Sequence, residues 1–286
     1  MQQEPSKEPV NETLKNSSEE SNDSAPKNTG TLQKQLNLFL IALSFFTRIP
    51  VPAWVDFDSE KLNQASRYFG VVGLLVGGLS AAVFWASQFV LPNNVAVILA
   101  IIMGVLVTGG FHEDGLADTA DGFGGGWKVA DKLRIMKDSR IGTYGSLALV
   151  LCLLLKWQLL VEIALYSPIK AVVAIIVAHS LSRVVAASII YSEQYVTEDD
   201  GSKSKPLAQH QQMNDLLILC LSGFVVLACL NGMVAFVLLL ILATLRQALI
   251  WGFKRQIGGY TGDTLGAAQQ ISELFCYGIF LSIGLN

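Results

Sequence analysis

Residues 111–126 read Phe-His-Glu-Asp-Gly-Leu-Ala-Asp-Thr-Ala-Asp-Gly-Phe-Gly-Gly-Gly and follow directly on an apolar run. Glu113, Asp114, Asp118 and Asp121 place four carboxylates beside hydrocarbon, where charge is expensive and marks function. Asp114, Asp118 and Asp121 are spaced i, i+4, i+7, which on a helix puts them within roughly 60° of one another. Hard oxygen ligands on one face suit a divalent cation such as Mg²⁺. Glu113 sits about 100° round from that face, placed for a second metal or for work as a base. His112 is either a proton-transfer group or an interfacial polar residue bonded to backbone. Gly115 and Ala117 are small enough to let a bulky ligand approach. Gly122, Gly124, Gly125 and Gly126 are expected to end the helix in a flexible segment.

A second constellation runs from Arg134 to Gly145. Lys137, Asp138 and Arg140, with Ser139 and glycines ahead of an apolar run, suit phosphate binding. Acids that hold metal and cations that hold phosphate are complementary parts of a phosphoryl-transfer site. A third, Gly258 to Gly266, has Thr261, Asp263 and Thr264 among glycines and fits phosphate or metal contact. His179 and Arg183 are i, i+4 neighbours inside an apolar run and share a face toward the bundle interior, where Arg183 is either a contact for an anionic substrate or an internal polar brace. Gln269, Gln270 and Glu273 in the final apolar run are either a brace or part of a site.

The elements that must position these residues are membrane helices. The chain has 286 residues, 52% hydrophobic and 15% charged, and apolar runs approaching the ~20 residues of a membrane span recur. The expected fold is all-α, a polytopic bundle of about seven membrane helices. The first, near residues 36–47, is short, interfacial or re-entrant, and closed by Arg48, Pro50 and Pro52. The remaining spans are expected at 69–91, 95–110, 145–165 (with Lys156 inside it), 169–190, 215–231, 232–251 and 264–285. Residues 1–31 are polar and read as a disordered tail, and 32–286 as one integral membrane domain. A net charge of −3 and no basic stripe with interleaved aromatics exclude a nucleic-acid partner. Cys152, Cys220, Cys229 and Cys276 lie in apolar runs and read as buried small hydrophobes.

Lys and Arg concentrate in alternate connections. Arg48, Lys61 and Arg67 precede the first long span; Lys128, Lys132, Arg134, Lys137 and Arg140 follow the second; Lys203, Lys205, Lys254 and Arg255 fall in later ones. Lys170 is the exception. The long polar connections, and the acids with them, are therefore expected on the cytoplasmic side.

Four stretches together resemble the cobalamin synthase family, whose activity is adenosylcobinamide-GDP ribazoletransferase. They are Phe45-Phe46-Thr47-Arg48-Ile49-Pro50-Val51-Pro52, the acidic run from His112 to Gly122, Ile135 to Gly145, and Thr261 to Ala267. The resemblance runs from about residue 36 to the end, with a longer N-terminal tail and a more polar 193–208 than that family needs. It implies an Mg²⁺-dependent enzyme of the bacterial inner membrane with its site facing the cytoplasm, and leaves a homo-oligomer open. In the implied reaction α-ribazole, or its 5′-phosphate, attacks the activated phosphate of adenosylcobinamide-GDP and GMP leaves. Asp114, Asp118 and Asp121 would then hold Mg²⁺, with Lys137 and Arg140 clamping phosphate. His112, Asp138, Arg183 and Asp263 would contact substrate, and Glu113 or Asp121 would accept the hydroxyl proton. Asp114-Gly-Leu-Ala also resembles part of the metal motif of CDP-alcohol phosphotransferases, the alternative reading, although Asp118 stands where that family has arginine. A cation or metabolite transporter would need repeat symmetry, and none is visible.

Overall fold

The computed structural model describes residues 30–196 and 208–283. The expected tail, apart from its last two residues, and the centre of the polar connection at 193–208 lie outside the described residues. The described residues form eleven α-helices with one 3₁₀ turn and a single isolated β-bridge, Tyr195 to Tyr260. The all-α expectation holds.

Helix α1 (Thr31–Phe46) ends where Thr47 folds back onto Leu43, its hydroxyl 2.7 Å from the carbonyl oxygen, and Pro50 and Pro52 forbid continuation. A short α2 (Ser59–Ala65) and the 3₁₀ turn lead into α3 (Phe69–Ser87). α3 lies almost backbone to backbone on α8 (Pro168–Ser192). A Cβ at Gly73 would collide with the His179 carbonyl, and Ser180 Oγ donates to Gly70 O at 2.9 Å. Small residues are what permit such contact between membrane helices. The remaining elements are α4 (Asn93–Thr108), α5 (Phe111–Gly125), α6 (Val129–Met136), α7 (Thr143–Tyr166), α9 (Met213–Ala228), α10 (Gly232–Ile257) and α11 (Gly262–Ser282).

Four helical stretches are long and apolar enough to cross a membrane: Ser59–Ser87, α7, α8 and α10. α4 and α5 make a fifth only if taken as one span bent by 87°. Four or five spans by this measure are compatible with the expected seven or so but do not confirm that number. α4 and α9 have only 16 residues each, about 24 Å of helix against a ~30 Å hydrocarbon core. α11 is long enough but carries Gln269, Gln270 and Glu273 at its centre. α8 is the most enclosed span and α11 packs on it, so these two form the interior against which the rest assemble. The long connections gather at one end: Arg67 pairs with Asp215, Lys254 with Glu193 at 3.2 Å, and Lys132 Nζ donates to the Gln256 side chain at 2.5 Å. The other end has tight turns, where Trp157 Nε1 donates to Asn94 O at 3.0 Å. Cys152 and Cys276 are buried, but Cys220 and Cys229 are exposed, on the outward side of α9 and at its end, against expectation. An apolar environment outside the bundle asks no burial of them.

Candidate active site

α4 stops at Gly109 and Gly110, both with left-handed backbone (φ 67° and 72°). Gly110 N donates to Val105 O at 2.9 Å and Gly109 N to Leu106 O at 3.3 Å, a paired C-terminal closure that only glycine enters without strain. The chain then turns through 87° into α5, which brings the acidic helix across the polar end of the bundle.

α5 runs through Gly122, Gly124 and Gly125 to Gly125, so these glycines do not form the flexible segment expected from sequence. They are contact points. A Cβ at Gly122 would meet Lys132 O at 3.0 Å, one at Gly124 would meet the Tyr144 ring, and one at Gly126 would meet Lys132 Cα at 2.8 Å. Gly115 serves the opposite side. Its Cβ would lie 2.9 Å from Asp263 O and 3.2 Å from Gly266 Cα, so α5 and α11 cross on their glycines and no ligand approaches there.

That crossing sets Asp263, in the first turn of α11, beside Asp118. The start of α11 is fixed by a reciprocal cap, Thr264 N to Thr261 Oγ1 at 3.2 Å and Thr261 N to Thr264 Oγ1 at 2.8 Å. Burial pushes the half-buried Asp118 carboxyl up to about 7, and Asp263, Asp114 and Asp121 add to the rise in that order. Asp263, assigned to substrate from sequence, thus belongs to the acidic group itself. No local pattern links residues 118 and 263; the facing glycines 115 and 266 are the only sequence trace.

Asp114 and Asp118 line a cleft of about 550 Å³ open to solvent, with Arg48, Thr108, Ser139 and Leu149 among its other walls. Asp121 does not line it. Its carboxylate is buried against α7, accepting from Gly142 N at 2.7 Å and Gly145 N at 2.9 Å. It thereby satisfies two of the unpaired N–H groups at the α7 N-terminus. Among the described residues no three His, Cys, Asp or Glu side chains converge closely enough to hold an ion as they stand. The donor chemistry nonetheless fits Mg²⁺: hard carboxylate oxygens, mutually repelling and half-withdrawn from water.

The other sequence candidates divide. Lys137 closes α6 and is exposed. Asp138 and Arg140 pair with each other, Arg140 Nη2 to Asp138 Oδ2 at 2.7 Å, and those hydrogen bonds hold the Asp138 carboxyl down to about 2. Ser139 and Ile141 between and beyond them face the cleft. His112 is buried and stacked on Phe46, ring centroids 5.3 Å apart, within a cluster of phenylalanines. Glu113 turns inward and accepts from Gln270 Nε2 at 3.0 Å. Gln270 accepts from Lys156 Nζ at 2.8 Å, and Lys156 pairs with Glu273 at 3.1 Å. Glu273 also accepts from Tyr277 at 2.9 Å and Gln269 at 2.6 Å. Arg183 is buried alongside, its Nη1 donating to His179 O at 2.8 Å. Glu113, His112 and Arg183 therefore line an interior polar pocket, and Thr108 at the end of α4 lines both that pocket and the cleft. Lys156 and Glu273 were legible as opposite charges stranded in apolar runs, though not as partners.

Fold and site define a polytopic helical membrane protein with a carboxylate-lined cleft at its polar end. The chain belongs to the cobalamin-5-phosphate synthase family, whose profile matches residues 38–281. It is 67% identical over 253 residues to the adenosylcobinamide-GDP ribazoletransferase of Shewanella frigidimarina (strain NCIMB 400), covering 88% of this chain and 97% of that one. The Shewanella baltica (strain OS185) protein of the same name is 66% identical over 251 residues, 88% of this chain and 96% of its own. No solved structure matches.

Proposed function

We propose that the chain is an adenosylcobinamide-GDP ribazoletransferase acting at the inner face of a bacterial cytoplasmic membrane. The hydroxyl of α-ribazole, or of its 5′-phosphate, attacks the cobinamide-linked phosphorus of adenosylcobinamide-GDP. A phosphodiester forms, the phosphoanhydride breaks, and GMP departs. The near-complete coverage of relatives that carry this name supports the reading, and the acidic cleft supplies the chemistry. The CDP-alcohol alternative has no support from the family or from those relatives.

Asp114 and Asp118, with Asp263 beside them, are the residues that would hold Mg²⁺. The ion would neutralise charge on the diphosphate and on the departing GMP. Asp121 holds the N-terminus of α7, and with it the Ser139–Ile141 wall, against α5. Glu113 ties α5 to the buried Lys156–Glu273 pair. The orientation rests on the gathering of Lys and Arg connections at the end that bears the cleft.

The test is GMP release by the purified full chain in lipid nanodiscs, given adenosylcobinamide-GDP and α-ribazole. Release that requires Mg²⁺ and falls by about 10² or more in Asp118→Ala is the expected result. Turnover of CDP-linked but not GDP-linked donor would reverse the assignment.

A further inference from the structure

In the sequence Arg48 closes the first apolar stretch and counts among the charges that set topology; the structure puts it in the cleft wall with Asp114 and Asp118. It is the only Lys or Arg among the described residues that line that cleft. Its position is built from two sides. Its backbone N donates to Val107 O at 2.8 Å, which pins the end of α1 to the end of α4. Thr47 Oγ1, bonded to Leu43 O, accepts from Ile49 N at 3.2 Å and fixes the turn around it. The guanidinium then lies across the α4–α5 elbow, so close to Gly109 that a Cβ there would collide with Arg48 Nε. Gly109 is thus required twice, for its left-handed backbone and for the arginine above it.

The guanidinium makes no hydrogen bond or ion pair with any described residue, although carboxylates share its cleft. This contrasts with Arg140, which is spent on Asp138. A planar fork held in place with its donors unspent, on the wall of an acidic cleft, is matched to an oxyanion that arrives with its own cation.

We infer that Arg48 binds a phosphate oxygen of the diphosphate donor, on the opposite side of that group from the carboxylates. This rests on the reading of the cleft as the ribazoletransferase site. It moves the phosphate clamp from Lys137 and Arg140 to a residue at the end of α1, and it explains why α1 must meet the elbow of the acidic helix.

The experiment compares wild type, Arg48→Ala and Arg48→Lys as full chains in nanodiscs of phosphatidylcholine and of phosphatidylglycerol. Steady-state constants are measured for adenosylcobinamide-GDP and α-ribazole, and equilibrium binding for GDP in the presence of Mg²⁺. Arg48→Ala is expected to raise the donor KM and the GDP Kd about tenfold or more. The α-ribazole KM and the thermal midpoint stay unchanged, and Arg48→Lys recovers part of the loss. The same shifts in both lipids identify substrate phosphate as the ligand. Unchanged GDP binding in Arg48→Ala, or a defect confined to phosphatidylglycerol discs, overturns the inference. If wild type binds GDP through Arg48 but releases no GMP from the donor, the anion site stands and the ribazoletransferase reading falls.

Discussion

Asp121 spends both carboxylate oxygens on backbone N–H groups at the start of α7, whereas Asp118, one turn earlier, faces a cleft and has its carboxyl pushed up to about 7 by burial and like charge. The two should therefore fail differently. Asp121→Ala leaves one buried and one part-buried donor unpaired and is expected to cost about 1–3 kcal/mol of stability; Asp121→Asn keeps one acceptor and loses less. Thermal unfolding in detergent separates them, and equal midpoints for both variants would contradict the capping role. Asp118→Asn removes charge that repels its neighbours, so it should hold or raise the midpoint while abolishing GMP release. The spacing of Asp114, Asp118 and Asp121 was readable in the chain, but what each faces was not. Asp121 meets N–H groups more than twenty residues on, and Asp263 arrives from the far end of the sequence. One helical period cannot carry either fact.

At the scale of elements, α5 is a helix wedged between three others, and its glycines are where they touch. Glycine density read as punctuation in the sequence because a turn and a close crossing ask for the same residue. The distinction is testable at single positions. Gly115→Ala drives a methyl into Asp263 O and is expected to cost about 1–3 kcal/mol through overpacking, with loss of turnover as α11 is pushed away. Gly125→Ala meets only Ile135 Cδ1 at 3.5 Å and should be neutral or slightly stabilising, since alanine favours helix. Paired melting curves and GMP-release rates decide it; equal behaviour of the two variants would mean that the α5–α11 crossing is looser than described. The elbow at Gly109 and Gly110 was foreseeable only as a boundary, and its 87° turn comes from the packing of α5 on α11.

For the whole molecule, a bundle of apolar helices is organised around a polar interior. Lys156 and Glu273 are paired inside it, and Gln270 links them to Glu113 at the start of the acidic helix. Removing one partner strands a buried charge. Lys156→Met is expected to cost about 3–5 kcal/mol, and Lys156→Met with Glu273→Gln to recover much of that. A thermal-unfolding double-mutant cycle measures the coupling, and additive losses would show that the pair does not act as one unit. The all-α class was legible from composition and run length. Span number was not, because α4 and α9 are short and α11 hides a polar core within an apolar run.

The proposed divalent-cation site in the cleft is formed by carboxylates from α5 and α11. Mn²⁺ titration followed by electron paramagnetic resonance, on the full chain in nanodiscs, reads that site without turnover. One bound Mn²⁺, displaced by Mg²⁺, weakened by Asp118→Ala and by Asp263→Ala and retained in Asp121→Asn, is the result expected. Binding indifferent to Asp118 and Asp263, or no binding in the presence of GDP, would contradict it.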